Sequence, residues 1–260
     1  MLAKERQNQI FTIIQENNSI RIADIIQHFH VSHETARRDL DTLQDQNLIT
    51  RVHGGAVLAE KNDSTMTSSV LSSRKHPASG MAERSAIGKT AAAMIKDGET
   101  VFLSVGLTVQ QVARSLRKRQ NLTVLTNSVL VLNELLNSDL QLYILGGAVN
   151  NSENNIEGAL AIQTLRNFYV DVAIIGAGGI TPELGISDYS PEVARLNETI
   201  IEHSKQSILV AHSRKFGINC LSVTCPLNKV DTIITDSNLP KQEQDYLSDH
   251  GIQVLLAKGK

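Results

Sequence analysis

Residues Ser32-His-Glu-Thr-Ala-Arg-Arg-Asp-Leu-Asp41 decide the fold of the N-terminal part of the chain. Within and just after this stretch, Ala36, Leu40 and Leu43 recur at the spacing of one helix face, which predicts an amphipathic α-helix. The Ser32 hydroxyl is placed to accept from the free backbone N–H groups of the first turn. The stretch therefore predicts a capped helix whose charged residues lie mostly on its outer side.

The segments on either side of this helix predict a winged helix-turn-helix fold. A first helix ends at Asn17–Ser19, and a second helix covers Arg21–His28. Their apolar faces consist of Ile10, Phe11, Ile13 and Ile14 in the first and of Ala23, Ile25 and Ile26 in the second. Strand patterns at Leu48–Val52 and Ala56–Leu58, joined by the turn His53–Gly55, predict a small β-wing.

The outer side of the third helix fits the major groove of DNA. Arginine there reaches a guanine edge or a phosphate, and short polar side chains approach base edges. An isolated pair such as Arg37 and Arg38 is more often a solvated helix face, but its place in a third helix, followed by a wing with Arg51, favours DNA. We predict that double-stranded DNA is contacted by Ser32, His33, Glu34, Thr35, Arg37, Arg38, Arg51 and His53.

The charge of this first domain predicts that several copies act together. Residues 1–57 contain six Lys and Arg residues and seven Asp and Glu residues, which gives a net charge of −1 with histidine neutral. A strong non-specific nucleic-acid binder is basic throughout. We therefore expect the cations to cluster on one face, and the affinity to depend on pairing two or more modules in a homo-oligomer.

The chain of 260 residues is long enough for this module and one larger core, which predicts two domains. We assign residues 1–58 to the DNA-binding domain, residues 59–82, rich in Ser and Thr, to a linker, and residues 83–260 to a second domain. No apolar run approaches the roughly 20 residues of a membrane span, and the polar N-terminus lacks the pattern of a signal peptide. These features predict a cytoplasmic protein without a membrane partner.

Residue types that often hold metals or dinucleotides do not form a convincing site in the sequence. Cys220 and Cys225 have no Cys or His cluster at ligand spacing beside them, so we expect two buried thiols and no metal site. Gly176-Ala-Gly-Gly-Ile180 is similar to a dinucleotide fingerprint, but Thr181 replaces the third glycine, and Thr181-Pro182 opens a loop where a helix should begin. No cofactor is therefore predicted.

The second domain alternates between strand and helix patterns, which predicts a mostly parallel α/β sheet covered on both faces. A helix over residues 83–95 opens it. The predicted strands are Thr100–Leu103, Leu122–Leu125, Gln141–Leu145, Val170–Ile175, Ser207–Ala211, Asp231–Thr235 and Ile252–Leu256. The predicted helices between most of them are Val109–Leu116, Val129–Leu136, Leu160–Phe168, Glu192–His203 and Lys241–Ser248.

Polar and glycine-rich loops follow five of these strands. Parallel strands bring their carboxyl ends to one edge of the sheet, and ligands of open α/β sheets bind beyond that edge. Backbone N–H groups at helix starts, with Ser, Thr and Lys side chains, suit a phosphate. We predict a pocket for a small-molecule effector formed by Ser104, Gly106, Thr108, Thr126, Asn127, Ser128, Gly146, Gly147, Gly176, Gly178, Asp188 and Lys215. Arg214 is the alternative to Lys215, one residue away in the same loop.

Two motifs of the N-terminal domain closely resemble the signature of the DeoR family of bacterial sugar-metabolism regulators. They are Val31-Ser-His-Glu-Thr-Ala-Arg-Arg-Asp-Leu40 and Leu48-Ile-Thr-Arg-Val-His-Gly-Gly-Ala56, and the resemblance covers nearly the whole chain. It implies an effector domain similar in fold to ribose-5-phosphate isomerase and a phosphorylated sugar or related metabolite as effector. It also implies that Lys215, followed by Phe216-Gly217, is the cation nearest the effector's phosphate.

The chain departs from the family pattern at three positions where that pattern has an acidic or basic side chain. Ser104 stands where the family usually has Asp, Asn197 where it commonly has Lys, and His212 where it commonly has Asp. Losing these acid–base partners disfavours isomerase chemistry. We therefore predict a transcriptional regulator that is not an enzyme, a repressor of carbohydrate-utilisation genes. The alternative is a sugar-phosphate isomerase-like enzyme with an accessory DNA-binding module.

Overall fold

The structure is a computed structural model that describes residues 3–17, 19–45, 48–52, 55–58 and 80–258. The chain divides into two compact units, Met1–Ser68 and Ser69–Lys260. Residues 59–79, which make up most of the predicted linker, lie outside the described residues. The limits assigned to the two domains and the linker therefore stay a prediction.

The N-terminal unit is a winged helix-turn-helix, as the sequence predicted. Its elements are α1 (Ala3–Asn17), β1 (Ser19–Arg21), α2 (Ile22–Phe29), α3 (His33–Asp45), β2 (Ile49–Val52) and β3 (Gly55–Leu58). The strands form an antiparallel sheet in the order β1-β3-β2, in which β2 and β3 are the wing and β1 is a strand that the sequence analysis missed. One apolar core joins the helices to the sheet and includes Ile10, Ile14, Ile25, Ala36, Leu40, Leu43 and Ile49.

The second helix buries only part of the predicted apolar face. Ile22 and Ile25 are buried and Ile26 is half-buried, whereas Ala23 is exposed. Successive residues are about 100° apart around a helix axis, so Ile22 and Ile25 share a face while Ala23 lies on the other side from Ile25. The predicted apolar face was therefore wrong at Ala23.

The C-terminal unit is built on a seven-stranded sheet in which all paired strands are parallel. Along the chain these strands are β4 (Thr100–Leu103), β5 (Thr123–Thr126), β6 (Gln141–Ile144), β9 (Val170–Ile175), β12 (Ser204–Val210), β14 (Thr232–Asp236) and β15 (Gln253–Ala257). They lie side by side in the order β15-β14-β12-β9-β4-β5-β6. The predicted parallel α/β fold is confirmed, and each predicted strand overlaps an observed one.

Helices cover both faces of this sheet. They are α4 (Met81–Met94), α5 (Leu107–Leu116), α6 (Val129–Leu135), α7 (Ala159–Leu165), α8 (Pro191–Glu202) and α9 (Lys241–Asp249). In β4, Val101 and Leu103 are buried in the core that includes α4 and α5, whereas Phe102 is buried in the core that includes α7 and α8. Because neither face meets water, the strand is a continuous apolar run rather than an alternating one.

In the described part of the C-terminal unit, five short strands lie outside the main sheet, and the sequence analysis missed them. β7 (Ala148–Asn150) and β8 (Asn155–Glu157) form a hairpin, and β10 (Gly179–Thr181), β11 (Gly185–Asp188) and β13 (Ser222–Cys225) form a second antiparallel sheet. Three of these strands, β7, β8 and β10, have only three residues, too few to show the alternation that marks a strand. The segment after β9 continues as β10 and not as a helix, so the structural context of a dinucleotide fingerprint is missing there.

The two cysteines differ in exposure. Cys225 is buried in β13, as predicted, and burial raises the pKa of its thiol to about 12. Cys220 is only half-buried, because it precedes β13 in an irregular segment, and the prediction of two buried thiols is corrected at this position.

Among the described helices, none combines the length and the hydropathy that a membrane-spanning helix requires.

Candidate functional site

The start of α3 is built as the sequence predicted. The Ser32 hydroxyl accepts from the backbone N–H of Thr35 at 3.1 Å and lies 2.8 Å from the Thr35 hydroxyl. In the turn before it, His30 has a φ of 51°, the left-handed conformation that commonly ends a helix. An N-cap bond of this kind contributes about 1 kcal/mol to stability. Ser32 therefore fixes the point at which α3 begins.

Most of the predicted DNA-contacting side chains of α3 are accessible. Thr35 is half-buried, and the exposed ones are Ser32, His33, Glu34, Arg37 and Arg38. Arg38 Nε lies 3.5 Å from Glu34 Oε1, and both side chains are more than two-thirds exposed. An ion pair this exposed contributes at most about 1 kcal/mol, so a DNA phosphate can replace the carboxylate. The predicted wing contacts fall on the Arg51 side chain and on His53, both outside the described part of the chain.

A buried ion pair that the sequence analysis missed fixes α3 against α1. Arg6 donates to Asp39 through Nε at 2.6 Å and through Nη2 at 3.2 Å, and Gln7 donates to the same carboxylate at 3.0 Å. The hydrogen bond to Asp39 raises the pKa of Arg6 above its ordinary value. The signal in the sequence is that Asp39 lies three residues after Ala36 and four before Leu43, on the buried side of the helix. This contact fixes the position of α3 relative to α1.

The C-terminal unit contains a cavity of about 400 Å³ at the carboxyl ends of its parallel strands. Loops after β4, β5, β9 and β12 line it, together with the turn of the β7–β8 hairpin, the residues at the end of β11, and α4. From β4 the chain builds the sheet outward through β5 and β6, and later returns to the other side of β4 with β9. Ligands of open α/β sheets bind at such a switch in strand order. The cavity therefore lies where this type of fold usually binds a ligand.

The structure brings together seven of the twelve residues that the sequence analysis assigned to an effector pocket. Those that line the cavity are Gly106, Thr108, Ser128, Gly176, Gly178, Asp188 and Lys215. Those that do not line it are Ser104, Thr126, Asn127, Gly146 and Gly147. The loop of Gly146 and Gly147 follows β6, the edge strand, which β5 separates from the switch between β4 and β9.

Three of the predicted residues outside the cavity lining make buried hydrogen bonds within the fold. Ser104 Oγ donates to Asn197 Oδ1 at 2.6 Å, and both side chains are buried. Thr126 donates to the carbonyl of Leu103 at 2.6 Å, and Asn127 donates to a backbone carbonyl of β8 at 3.2 Å. A neutral pair thus stands at two positions where the DeoR pattern has an acid and an amine. Neither member titrates, so this pair supplies no general acid or base.

One wall of the cavity is the N-terminus of α5. Gly106 is its N-cap residue, with a φ of 126° that favours glycine, and it has no side chain that could cap this end of the helix. The first backbone N–H groups of a helix have no partner within it, and the helix dipole favours negative charge there. Leu107, Thr108 and Val109 of this first turn line the cavity. This wall suits an anionic group.

Basic side chains approach the cavity from two other elements. Lys215 lines it, and its Nζ lies 5.6 Å from the centre of the Tyr189 ring, whereas the alternative Arg214 is exposed and does not line it. Arg84 of α4 also lines it, and burial lowers the pKa of this guanidinium, with Arg214 adding to that effect and Glu83 opposing it. The sequence analysis missed Arg84, because an arginine on an amphipathic helix carries no signal of a site. Two carboxylates, Glu153 and Asp188, line the cavity as well.

His212 completes the basic side of the cavity and is itself buried. Its Nδ1 accepts from the backbone N–H of Arg214 at 3.2 Å and lies 3.3 Å from Asp236 Oδ2. Burial lowers the pKa of His212, and Asp236 opposes that effect. For Asp236, burial raises the pKa, but hydrogen bonds from Ser213 and Asn238 outweigh it, so the pKa lies below its ordinary value. His212 is therefore held next to a charged carboxylate.

The arrangement suits binding of an anion. A helix N-terminus and the side chains of Arg84, His212 and Lys215 meet at one cavity. Within the described part of the chain, no group of three or more His, Cys, Asp and Glu side chains could hold a metal ion.

Comparisons with known proteins identify the family. A model described as the DeoR C terminal sensor domain matches residues 79–237, and a model described as a DeoR-like helix-turn-helix domain matches residues 6–62. The glycerol-3-phosphate regulon repressor of Escherichia coli (strain K12) is 31% identical over 257 residues, which cover 98% of this chain and 100% of that protein. The HTH-type transcriptional repressor GlcR of Bacillus subtilis (strain 168) is 33% identical over 260 residues, covering 99% of this chain and 98% of that protein.

Among solved structures, ribose 5-phosphate isomerase A from Methanocaldococcus jannaschii matches with a TM-score of 0.40 and 14% identity, over 53% of this chain and 55% of that one. A likeness at this score says nothing about what the cavity binds. The two family models and the relatives of full length are decisive, and these relatives are repressors rather than enzymes. This chain belongs to the DeoR family and is a DNA-binding transcriptional repressor, not an enzyme.

Proposed function

We propose that the protein represses carbohydrate-utilisation genes and that a phosphorylated sugar or related metabolite binds the cavity and controls its hold on DNA. The observation that carries the proposal is the meeting of the α5 N-terminus, Arg84 and Lys215 at one cavity. Backbone N–H groups together with two cationic side chains provide what a phosphate needs, which is charge and directed donors. The name of one relative, the glycerol-3-phosphate regulon repressor, supports a phosphorylated metabolite as the ligand.

The size and chemistry of the cavity support a small ligand of mixed polarity. Its volume of about 400 Å³ falls within the range of about 300–1,000 Å³ that is usual for small-molecule sites. Beside the charged groups, Val105, Leu107, Leu130 and Ala177 give it an apolar side. A phosphorylated metabolite with a short carbon skeleton presents an anion to one side and C–H groups to the other. The effector residues proposed are the seven predicted ones that line the cavity.

The proposal also includes how DNA is bound. Ser32, His33, Glu34, Thr35, Arg37 and Arg38 of the N-terminal unit contact an operator in double-stranded DNA, with Arg51 and His53 contributing from the wing. A module with no net positive charge binds weakly alone, so two or more copies act together in a homo-oligomer. The effector shifts the oligomer between two arrangements by its difference in affinity for them, typically about 1–3 kcal/mol. Because a bacterial repressor must reach the chromosome, the proposal includes a cytoplasmic location.

The test is a two-step binding experiment with the full-length protein. Genomic DNA fragments that the purified protein retains are sequenced, which gives the operator and the genes beside it. A labelled operator is then bound, and glycerol 3-phosphate and a panel of phosphorylated sugars are screened for release, with the dephosphorylated compounds as matched controls.

We expect the operator to lie beside genes of carbohydrate uptake or breakdown, and a phosphorylated compound to change binding where its dephosphorylated form does not. A response to dephosphorylated compounds at the same concentrations would contradict the phosphate assignment. Operators beside genes unrelated to carbohydrates would contradict the assigned regulon.

A further inference from the structure

His212 is a buried side chain with one nitrogen that has no hydrogen-bond partner among the described residues. It lines the cavity, its side chain is only 9% exposed, and its Nε2 atom is buried and unpartnered. Leaving a buried polar atom unpaired costs about 1–3 kcal/mol. Natural proteins rarely accept that cost without a reason, and a ligand in the cavity supplies one.

The protein itself holds the other ring nitrogen. Nδ1 accepts from the backbone N–H of Arg214 at 3.2 Å, which assigns the proton of the neutral ring to Nε2. Nε2–H is therefore a donor, and among the described residues it has no acceptor. Gly80, just before α4, packs closely against this edge of the ring, because a Cβ at that position would lie 3.1 Å from Nε2.

Charged groups of both signs surround the ring. Asp236 Oδ2 lies 3.3 Å from Nδ1 and favours the protonated ring, as does Glu83, whereas Arg84 and Arg214 disfavour it. Burial is the largest influence and lowers the pKa of His212, so the ring is neutral at pH 7 when no further anion is near. An anion bound at Nε2 adds negative charge beside the ring. This charge favours the protonated ring, against the effects of burial and the two arginines.

We propose that His212 is a specificity-determining residue of the effector site: its Nε2–H donates to the anionic group of the effector, and the ring takes up one proton as that group binds. This inference rests on the proposed function and assigns the binding chemistry at its cavity. The proton comes from solvent and adds to Nδ1, which then donates to Asp236 Oδ2 instead of accepting from Arg214. The imidazolium is thereby paired with a carboxylate at one nitrogen and with the effector at the other.

Inorganic sulfate is the probe, because its own charge does not change in the pH range of interest. Any proton taken up on binding is then bound by the protein and not by the ligand. A phosphate monoester changes its own charge near pH 6, whereas sulfate keeps both charges over the range of about pH 5 to 8 in which histidine titrates. Sulfate binding is measured calorimetrically on the full-length protein across that range, in buffers of different ionisation enthalpy. The dependence of the heat on the buffer gives the number of protons taken up.

Four variants of the chain divide the possible outcomes. His212→Asn retains a short side-chain acceptor for the N–H of Arg214 but removes the donor at Nε2. His212→Gln carries an amide of similar reach that cannot titrate. His250→Asn is the matched control, because His250 is exposed and does not line the cavity. Lys215→Ala reports whether sulfate occupies the cavity.

We expect wild-type protein to bind sulfate more tightly as the pH falls, by up to about tenfold per pH unit, with close to one proton taken up. His250→Asn should match it. His212→Gln should lose most of this pH dependence, and His212→Asn should bind at least about fivefold more weakly near pH 5.5.

Two results would overturn the inference, and they differ in what else they overturn. If Lys215→Ala weakens sulfate binding but both His212 variants retain the affinity and pH dependence of wild type, His212 is not a ligand and the anion cavity stands. If wild type binds no sulfate, or Lys215→Ala leaves binding unchanged, the anion cavity of the proposed function falls together with the inference.

Discussion

In the N-terminal unit the buried carboxylate of Asp39 accepts three hydrogen bonds from Arg6 and Gln7, whereas in the C-terminal unit the buried imidazole of His212 has one nitrogen without a partner among the described residues. Because the Asp39 carboxylate already accepts three hydrogen bonds within the protein, its role is to hold α3 in place. The imidazole of His212 leaves a donor in the wall of a cavity. In this pair, the satisfied group holds a helix in place, and the unsatisfied one belongs to the proposed effector site.

Removing the satisfied carboxylate has the largest expected effect. Asp39→Ala leaves the Arg6 guanidinium, whose side chain is 12% exposed, without its partner. Breaking a largely buried ion pair in this way costs about 3 kcal/mol of unfolding free energy. Denaturant unfolding of the full-length protein, followed by circular dichroism, should show an earlier transition, and operator affinity should fall with it.

Asp41→Ala is the control for that experiment, because Asp41 is exposed on the same helix. We expect it to change the free energy of unfolding by no more than about 0.5 kcal/mol. Equal unfolding curves for the two variants would show that the Asp39 contact does not hold α3.

Removing the exposed arginines of the same helix should affect binding without affecting stability. Arg37→Ala with Arg38→Ala is expected to weaken operator binding at least about thirtyfold, since each contact contributes about 1–3 kcal/mol. The thermal transition should stay nearly unchanged, because both side chains are exposed. Arg117→Ala with Lys118→Ala removes the same charge from an exposed site in the C-terminal unit and should leave affinity intact. Equal affinity in both double variants would reject α3 as the recognition helix.

The unsatisfied histidine should give the smallest effect, a dependence of stability on pH. The pKa of His212 in the folded protein lies below its unfolded value of about 6.5, so the unfolded chain binds the proton more readily. The contribution of His212 to the free energy of unfolding is therefore fully present above pH 6.5. It is lost as the pH falls from 6.5 toward the pKa of His212 in the folded protein. The denaturant midpoint should differ less between pH 7.5 and pH 5.5 in His212→Asn than it does in wild type or in His250→Asn. An unchanged pH dependence in His212→Asn would contradict the buried neutral ring.

The sequence predicted those features that depend on local pattern. The strands of the parallel sheet are apolar runs separated by helices, and Ser32 carries its own capping signal, so both could be recognised. The Arg6–Asp39 pair could not, because its partners are 33 residues apart and nothing in the chain marks them as neighbours.

Membership of the cavity likewise depends on strand order, which the sequence does not state. The glycines after β6 satisfied the predicted pattern but follow an edge strand, away from the switch between β4 and β9. Arg84 reaches the cavity from α4, an element that the strand-end rule does not include. The loop of His212 was recognised, but the unpartnered Nε2 depends on tertiary packing.

Control of DNA binding by an anionic metabolite in the cavity is tested by operator release in wild type, Lys215→Ala and Lys205→Ala. Lys215 lines the cavity, whereas Lys205 is an exposed lysine of β12 that does not line it. Fluorescence anisotropy of a labelled operator is followed as the releasing metabolite is added. We predict equal operator affinity without metabolite in all three proteins, and a midpoint for release at least about tenfold higher in Lys215→Ala alone. Release of Lys215→Ala at the wild-type concentration would contradict the account.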